Sequence, residues 1–105
     1  MGESPVISKR LREARLAAGM SQKQLGIAAG IDEFSASPRI NQYERGKHVP
    51  DFSIAEKIAA VLNVPTPYLF TRDDALAQLI LLYGQLDSDS KTRLIDMAAS
   101  DVLKT

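Results

Sequence analysis

The sequence predicts an all-α fold, with five helices in a first unit and two more beyond it. Apolar residues recur at three- and four-residue spacing along most of the chain, and no segment sustains the apolar–polar alternation of a strand. Residues suited to capping a helix, or a proline just inside one, stand where each helix is expected to start. With 105 residues, 45% hydrophobic and 25% charged, the chain has the make-up of a globular domain that buries a single core.

Residues 1–6 read as a loose end, because Pro5 breaks any earlier helix. From about Val6 to Ala18, Ile7, Leu11, Ala14 and Ala18 make one helical face, closed by Gly19. Lys9, Arg10, Arg12 and Arg15 interleave with that face, and all but Arg15 are expected in solvent. The second helix opens on a capping box, Ser21 with Gln24 three residues on, and is expected to bury Leu25, Ile27 and Ala28. A third helix is expected from about Ser37 to Arg45. The residue before a proline is pushed out of the α region, which suits Ser37 as N-cap, and Pro38 loses nothing at the first helical position. Gly46 ends it in the left-handed conformation. Ile40, Tyr43 and Glu44 then share the inner face, and Arg39, Asn41, Gln42 and Arg45 point outward. Arginine pairs bidentately with guanine in the major groove, and asparagine and glutamine pair with adenine. Two helices linked through Gly30, the second short and rich in such side chains, make a helix-turn-helix.

Asp51 caps a fourth helix whose apolar face is Phe52, Ile54, Ala55, Ile58, Ala59, Val61 and Leu62, with Asn63 and Pro65 as its stop. Thr66-Pro67 starts a one-turn helix in which Tyr68, Leu69 and Phe70 close the core. Thr71 to Asp74 is the linker candidate. A boundary there divides a DNA-binding unit, residues 1–72, from a helical extension, residues 73–105. The extension has a helix started by Asp73 and Asp74, and a last helix capped by Asp87 or Ser88. Leu79 to Tyr83 cover every side of the former, more than so small a monomer readily buries.

Composition narrows the function classes. No apolar run approaches the roughly 20 residues that cross a bilayer, and MGESPVISKR has no signal-peptide core. Without cysteine there is no thiolate metal site or cysteine nucleophile, and the cytoplasm is the expected compartment. The single His48 lies in a loop without a second imidazole, so neither a zinc site nor a hydrolytic triad is expected. The glycines stand singly at helix ends, and Asp87-Ser88-Asp89 lacks the spaced ligands of a calcium loop. The sequence thus names no catalytic residue, no cofactor and no metal. Net charge is zero, yet residues 1–50 hold eight Lys/Arg against five Asp/Glu, a balance of +3, and residues 51–105 the reverse, −3. The positive half is the one with the helix-turn-helix, as binding to phosphates requires.

SQKQLGIAAG followed by RINQYERGKHVPD resembles the phage-repressor (Cro-like, XRE) helix-turn-helix domain over about residues 7–70. The S-Q-x-x-L start, the I-x-x-x-E-x-G ending and the following proline occur together and in order. The chain departs from the family between Gly30 and Ile40, where it takes about four more residues, so IDEFSAS reads as an insertion in the turn. Its expected role is a longer turn with Phe34 tucked against the core, while Ser35 and Ser37 share in that turn and extend the reading surface toward the backbone. The resemblance implies a sequence-specific regulator of transcription, a repressor by family, that binds double-stranded DNA. By it, Arg39, Asn41 and Gln42 touch bases, with Ser37 and Pro38 near base edges or a thymine methyl; Gln22 grips a phosphate. Lys23, Arg45 and Lys47 are further phosphate candidates. It also pairs Arg15 with Glu44, an ion pair that locks the first helix to the reading helix. One two-turn reading helix touches too few bases to select an operator, and the family's geometry sets two copies on successive major grooves about 34–36 Å apart. A homodimer held by Leu79, Ile80, Leu82, Tyr83, Leu86, Leu94 and Ile95, bound to a palindromic operator, is therefore expected. The alternative is an antitoxin-like or adaptor protein whose C-terminal apolar helices bind another protein.

Overall fold

The computed structural model describes residues 5–105, and the first part of the expected loose end lies outside them. All regular structure among these residues is helical: α1 (Val6–Ala17), α2 (Gln22–Ala28), α3 (Glu33–Glu44), α4 (Phe52–Leu62), a 3-10 segment (Thr66–Phe70), α5 (Asp74–Gln85) and α6 (Ser88–Lys104).

The core joins the first four helices and the 3-10 segment. Ile7, Leu11, Leu25, Ile40, Ile58 and Leu69 are its largest fully buried side chains, with Ala36, Tyr43, Ala55 and Tyr68 around them. The α2 capping box is complete: Ser21 Oγ accepts from the Gln24 N–H at 3.0 Å, and Gln24 Oε1 from the Ser21 N–H at 2.8 Å. The buried side of α2 differs from expectation. It is Leu25, Gly26 and Ala29, while Ile27 and Ala28 face solvent. The reason is the crossing with α3, closest at Gly26, where an added Cβ would lie 2.6 Å from Ala36 Cβ and 2.8 Å from Ala36 Cα.

The largest correction concerns α3. It starts at Glu33, not after Ser37. Its N-cap is Asp32, whose Oδ2 accepts from the Phe34 N–H at 3.0 Å, and Glu33 adds a carboxylate to the positive first turn. Ser37 and Pro38 lie inside the helix, and Pro38 forgoes one helical hydrogen bond. The additional residues therefore lengthen the helix and leave the turn short, at residues 29–32. Four residues are close to one turn of 3.6, so the extension leaves the inner face on Ala36, Ile40 and Tyr43. Phe34 is not tucked in. It is 87% exposed.

Asp51 caps α4 by accepting from the Ile54 N–H at 2.9 Å, and Asn63 ends it at φ +57°. Phe52, expected on the apolar face, is exposed because it sits at the helix start, ahead of the turn that meets the core. Pro65 rather than Thr66 precedes the 3-10 segment, which buries Tyr68 and Leu69 but leaves Phe70 largely outside.

Arg10, expected in solvent, is buried. Its Nε donates to Thr71 O at 2.9 Å, its Nη2 to Arg72 O at 3.0 Å and to Asp74 Oδ1 at 2.8 Å, and its guanidinium lies 5.7 Å from the centre of the Tyr68 ring. The linker is thus pinned to α1, and the hydrogen bond from Arg10, helped by the charge of Lys9, holds the Asp74 carboxyl below its ordinary range. Asp73 caps α5 through the Leu76 N–H at 2.8 Å. The α5 helix enters the core with Ala77 and lays Ile80 and Leu81 against it.

Asp87 caps α6 by accepting from the Ser90 N–H at 2.7 Å. No residue of α6 is buried. Between α5 and α6 runs an apolar groove of about 420 Å³ whose walls include Pro65, Leu79, Ile80, Tyr83, Leu94 and Ile95.

Candidate nucleic-acid interface

The outer face of α3 is presented by two devices. The first is the tight α2–α3 contact at Gly26 and Ala36. The second is a polar network under the C-terminal end of α3. Arg15 Nε donates to Glu44 Oε2 at 2.6 Å and its Nη2 to Glu44 Oε1 at 3.0 Å, while Nη1 donates to Met20 O at 2.9 Å. The Glu44 side chain is 3% exposed and that of Arg15 11%, so this is a buried, bidentate pair between α1 and α3. The hydrogen bond to Glu44 raises the Arg15 pKa against the opposing effect of burial, so the guanidinium stays charged.

Gln22, at the start of α2, completes the network. Its Nε2 donates to Glu44 Oε1 and to Asn41 Oδ1, both at 3.2 Å. Both amide hydrogens are then committed within the protein, so in this arrangement the Gln22 side chain has no donor left for a phosphate. It instead fixes which way the Asn41 amide points. Asn41 Oδ1 accepts from Gln22 and keeps a second lone pair, leaving Nδ2 to donate outward, the pattern needed opposite adenine N6 and N7.

The sequence-predicted residues divide by exposure. Pro38, Arg39 and Gln42 are exposed, Ser37 and Asn41 half-buried. Arg39 and Gln42 edge a shallow recess closed by the loop with His48 and Asp51. Lys23, Arg45 and Lys47 are exposed at the margins of the α2–α3 pair, and Gln22 is half-buried beneath Asn41. Of the expected dimer residues, Leu79, Leu82, Tyr83 and Ile95 are exposed, while Ile80, Leu86 and Leu94 are half-buried. Sequence reasoning missed the Gln22–Asn41 link, which joins side chains 19 residues apart. It also missed the additional turn of α3, although Asp32-Glu33 is itself a helix-start signal. Among the described residues no cluster of His, Cys, Asp or Glu could hold a metal, and no helix is long and apolar enough to cross a membrane.

Known proteins agree with this architecture. The Helix-turn-helix family model matches residues 11–69. The HTH-type transcriptional regulator ImmR of Bacillus subtilis (strain 168) is 34% identical over 68 residues, 65% of this chain and 50% of ImmR. An uncharacterized HTH-type transcriptional regulator of Sinorhizobium medicae (strain WSM419) is 34% identical over 64 residues, 61% of this chain and 43% of that protein. The chain thus spans about half the length, or less, of these curated relatives. The crystal structure of transcriptional regulator BswR superposes with a TM-score of 0.83 at 47% identity, covering 89% of this chain and 92% of that one. The matched segment contains α2, α3 and the residues that brace them, and the chain belongs to the XRE-type helix-turn-helix family of DNA-binding transcription regulators.

Proposed function

We propose that the protein represses transcription by occupying a palindromic operator as a homodimer, with α3 of each copy in a major groove. The observation that carries this reading is the braced outer face of α3, with Arg39, Asn41 and Gln42 on a helix held at a set angle by the buried Arg15–Glu44 pair. Ser37 and Pro38 add contacts at base edges. Lys23, Arg45 and Lys47 neutralise phosphates, and Gln22 acts through Asn41 instead of gripping the backbone with its side chain. No catalytic step or cofactor enters this reading, and the protein works in the cytoplasm.

In this reading residues 1–72 read DNA and residues 73–105 hold the dimer. The support is the surface of α5 and α6: Leu79, Leu82, Tyr83 and Ile95 are between 36% and 55% exposed, beside an open apolar groove. Packing the same residues against their two-fold copies would cover them and give the reading heads the symmetry of an inverted repeat. The same groove also favours a second reading, an antitoxin-like or adaptor role in which another protein's apolar helix fills it.

Single substitutions on α3 test the reading face. Gln42→Ala or Arg39→Ala will weaken binding to the preferred site by about 1–3 kcal/mol and relax preference at particular bases. Lys47→Ala will weaken all sequences alike and reduce the salt dependence. Gel shifts with specific and scrambled DNA at several salt concentrations separate the two classes. Unchanged site preference in both α3 variants would remove α3 from the role assigned to it.

A further inference from the structure

The additional turn of α3 ends in an aromatic side chain that the fold does not use. Phe34 is 87% exposed, and its backbone N–H is committed to the Asp32 cap. A single exposed apolar residue needs no special explanation. The place of this one does. At 100° per residue, Phe34 lies on the stripe of Pro38, Asn41 and Arg45, opposite Ala36, Ile40 and Tyr43 in the core. It therefore extends the outer face of α3 by one turn at the N-terminal end, the end of a reading helix that approaches base edges.

The chemistry of that tip selects its target. Asp32 and Glu33 immediately precede Phe34, and two carboxylates disfavour contact with phosphates, so an apolar contact made by this tip would be with a base and not with the backbone. In the major groove the bases present hydrogen-bonding atoms and one apolar group, the C5-methyl of thymine; 5-methylcytosine carries the same group in the same place. We infer that Phe34 is a specificity-determining residue that packs on a pyrimidine C5-methyl at one position per half-site, beyond the bases reached by Asn41 and Gln42. The inference rests on α3 being the reading helix.

The test replaces the thymines of a preferred site one at a time by uracil, which deletes the methyl alone. Binding of the intact protein and of Phe34→Ala is then compared. At one position in each half-site, the single replacement will weaken the intact protein about fourfold, the effect of losing one buried methyl group. Phe34→Ala will bind the thymine site more weakly and will be indifferent to uracil at that position. Placing 5-methylcytosine or cytosine there shows whether thymine alone or either methylated pyrimidine is accepted. Because Phe34 is exposed, the variant is expected to melt as the parent does. Equal uracil profiles for the two proteins, or a Phe34→Ala change confined to self-association, would overturn the inference while leaving α3 as the reading helix. Absence of any preferred site would overturn both.

Discussion

Replacing Glu44 by alanine will lower folding stability by about 3–5 kcal/mol, because it strands the Arg15 guanidinium in a buried site with its partner gone. That is a large part of the roughly 5–15 kcal/mol that holds a domain folded. Urea unfolding followed by helical circular dichroism measures it. Glu44→Ala also removes an acceptor of Gln22, so the surviving folded molecules will hold Asn41 less firmly and bind specific DNA more weakly. Replacing Arg15 and Glu44 together by leucine separates the two effects. An apolar pair of similar volume will recover much of the stability, since a buried ion pair contributes little net energy over apolar packing. It will not restore the directional bond between α1 and α3, and DNA affinity will remain below that of the parent. A Glu44→Ala protein as stable as the parent would show that the pair does not brace the reading helix.

Carboxylates placed in the α5–α6 surface will act on DNA binding without touching α3. Leu79→Asp and Ile95→Asp alter side chains 45% and 55% exposed in the monomer, so each variant is expected to fold. A charge at the centre of a two-fold interface meets its own copy, and like charges there oppose association. Loss of the linked second reading head will reduce affinity for a palindromic site about 10²–10⁴-fold, while affinity for a single half-site stays near that of the parent. Equilibrium sedimentation at micromolar concentration should find the parent dimeric and the variants monomeric. A monomeric parent, or dimeric variants, would take the dimer role away from these helices. Point variants suit the question better than truncation after residue 72. Ala77 belongs to the shared core and Arg10 donates to Asp74 Oδ1 at the start of α5, so removing α5 would damage the reading unit itself.

Most of the helices were legible in the sequence because their caps are local signals. Ser21 with Gln24, Asp51, Asp73 and Asp87 each act within three residues: the first two cap as expected, Asp87 is the one used of Asp87 and Ser88, and Asp73, expected with Asp74 to begin its helix, caps it. The start of α3 was ambiguous for the same reason. Ser37-Pro38 and Asp32-Glu33 are both local start signals, and only the packing of Ala36 against Gly26 shows which is used. The family resemblance located the additional residues but not their conformation, since one extra helical turn and a longer loop consume the same length of chain. Arg10 was legible and misread: Ile7, Arg10, Leu11 and Ala14 form one unbroken helical stripe, and its hydrogen-bond acceptors lie more than 60 residues away. The orientation of Asn41 by Gln22 depends on the α2–α3 crossing, a tertiary distance that spacing along the chain does not carry.

If two copies of α3 read one symmetric site, the symmetry will appear in the sequences that the intact protein selects from random double-stranded DNA. The expected result is an enriched inverted repeat whose half-site centres are separated by about one helical turn, or a small multiple of it. Gln42→Ala should relax particular positions in both halves. Recovery of no preferred sequence, or of a single unrepeated site unaffected by Gln42→Ala, would contradict it.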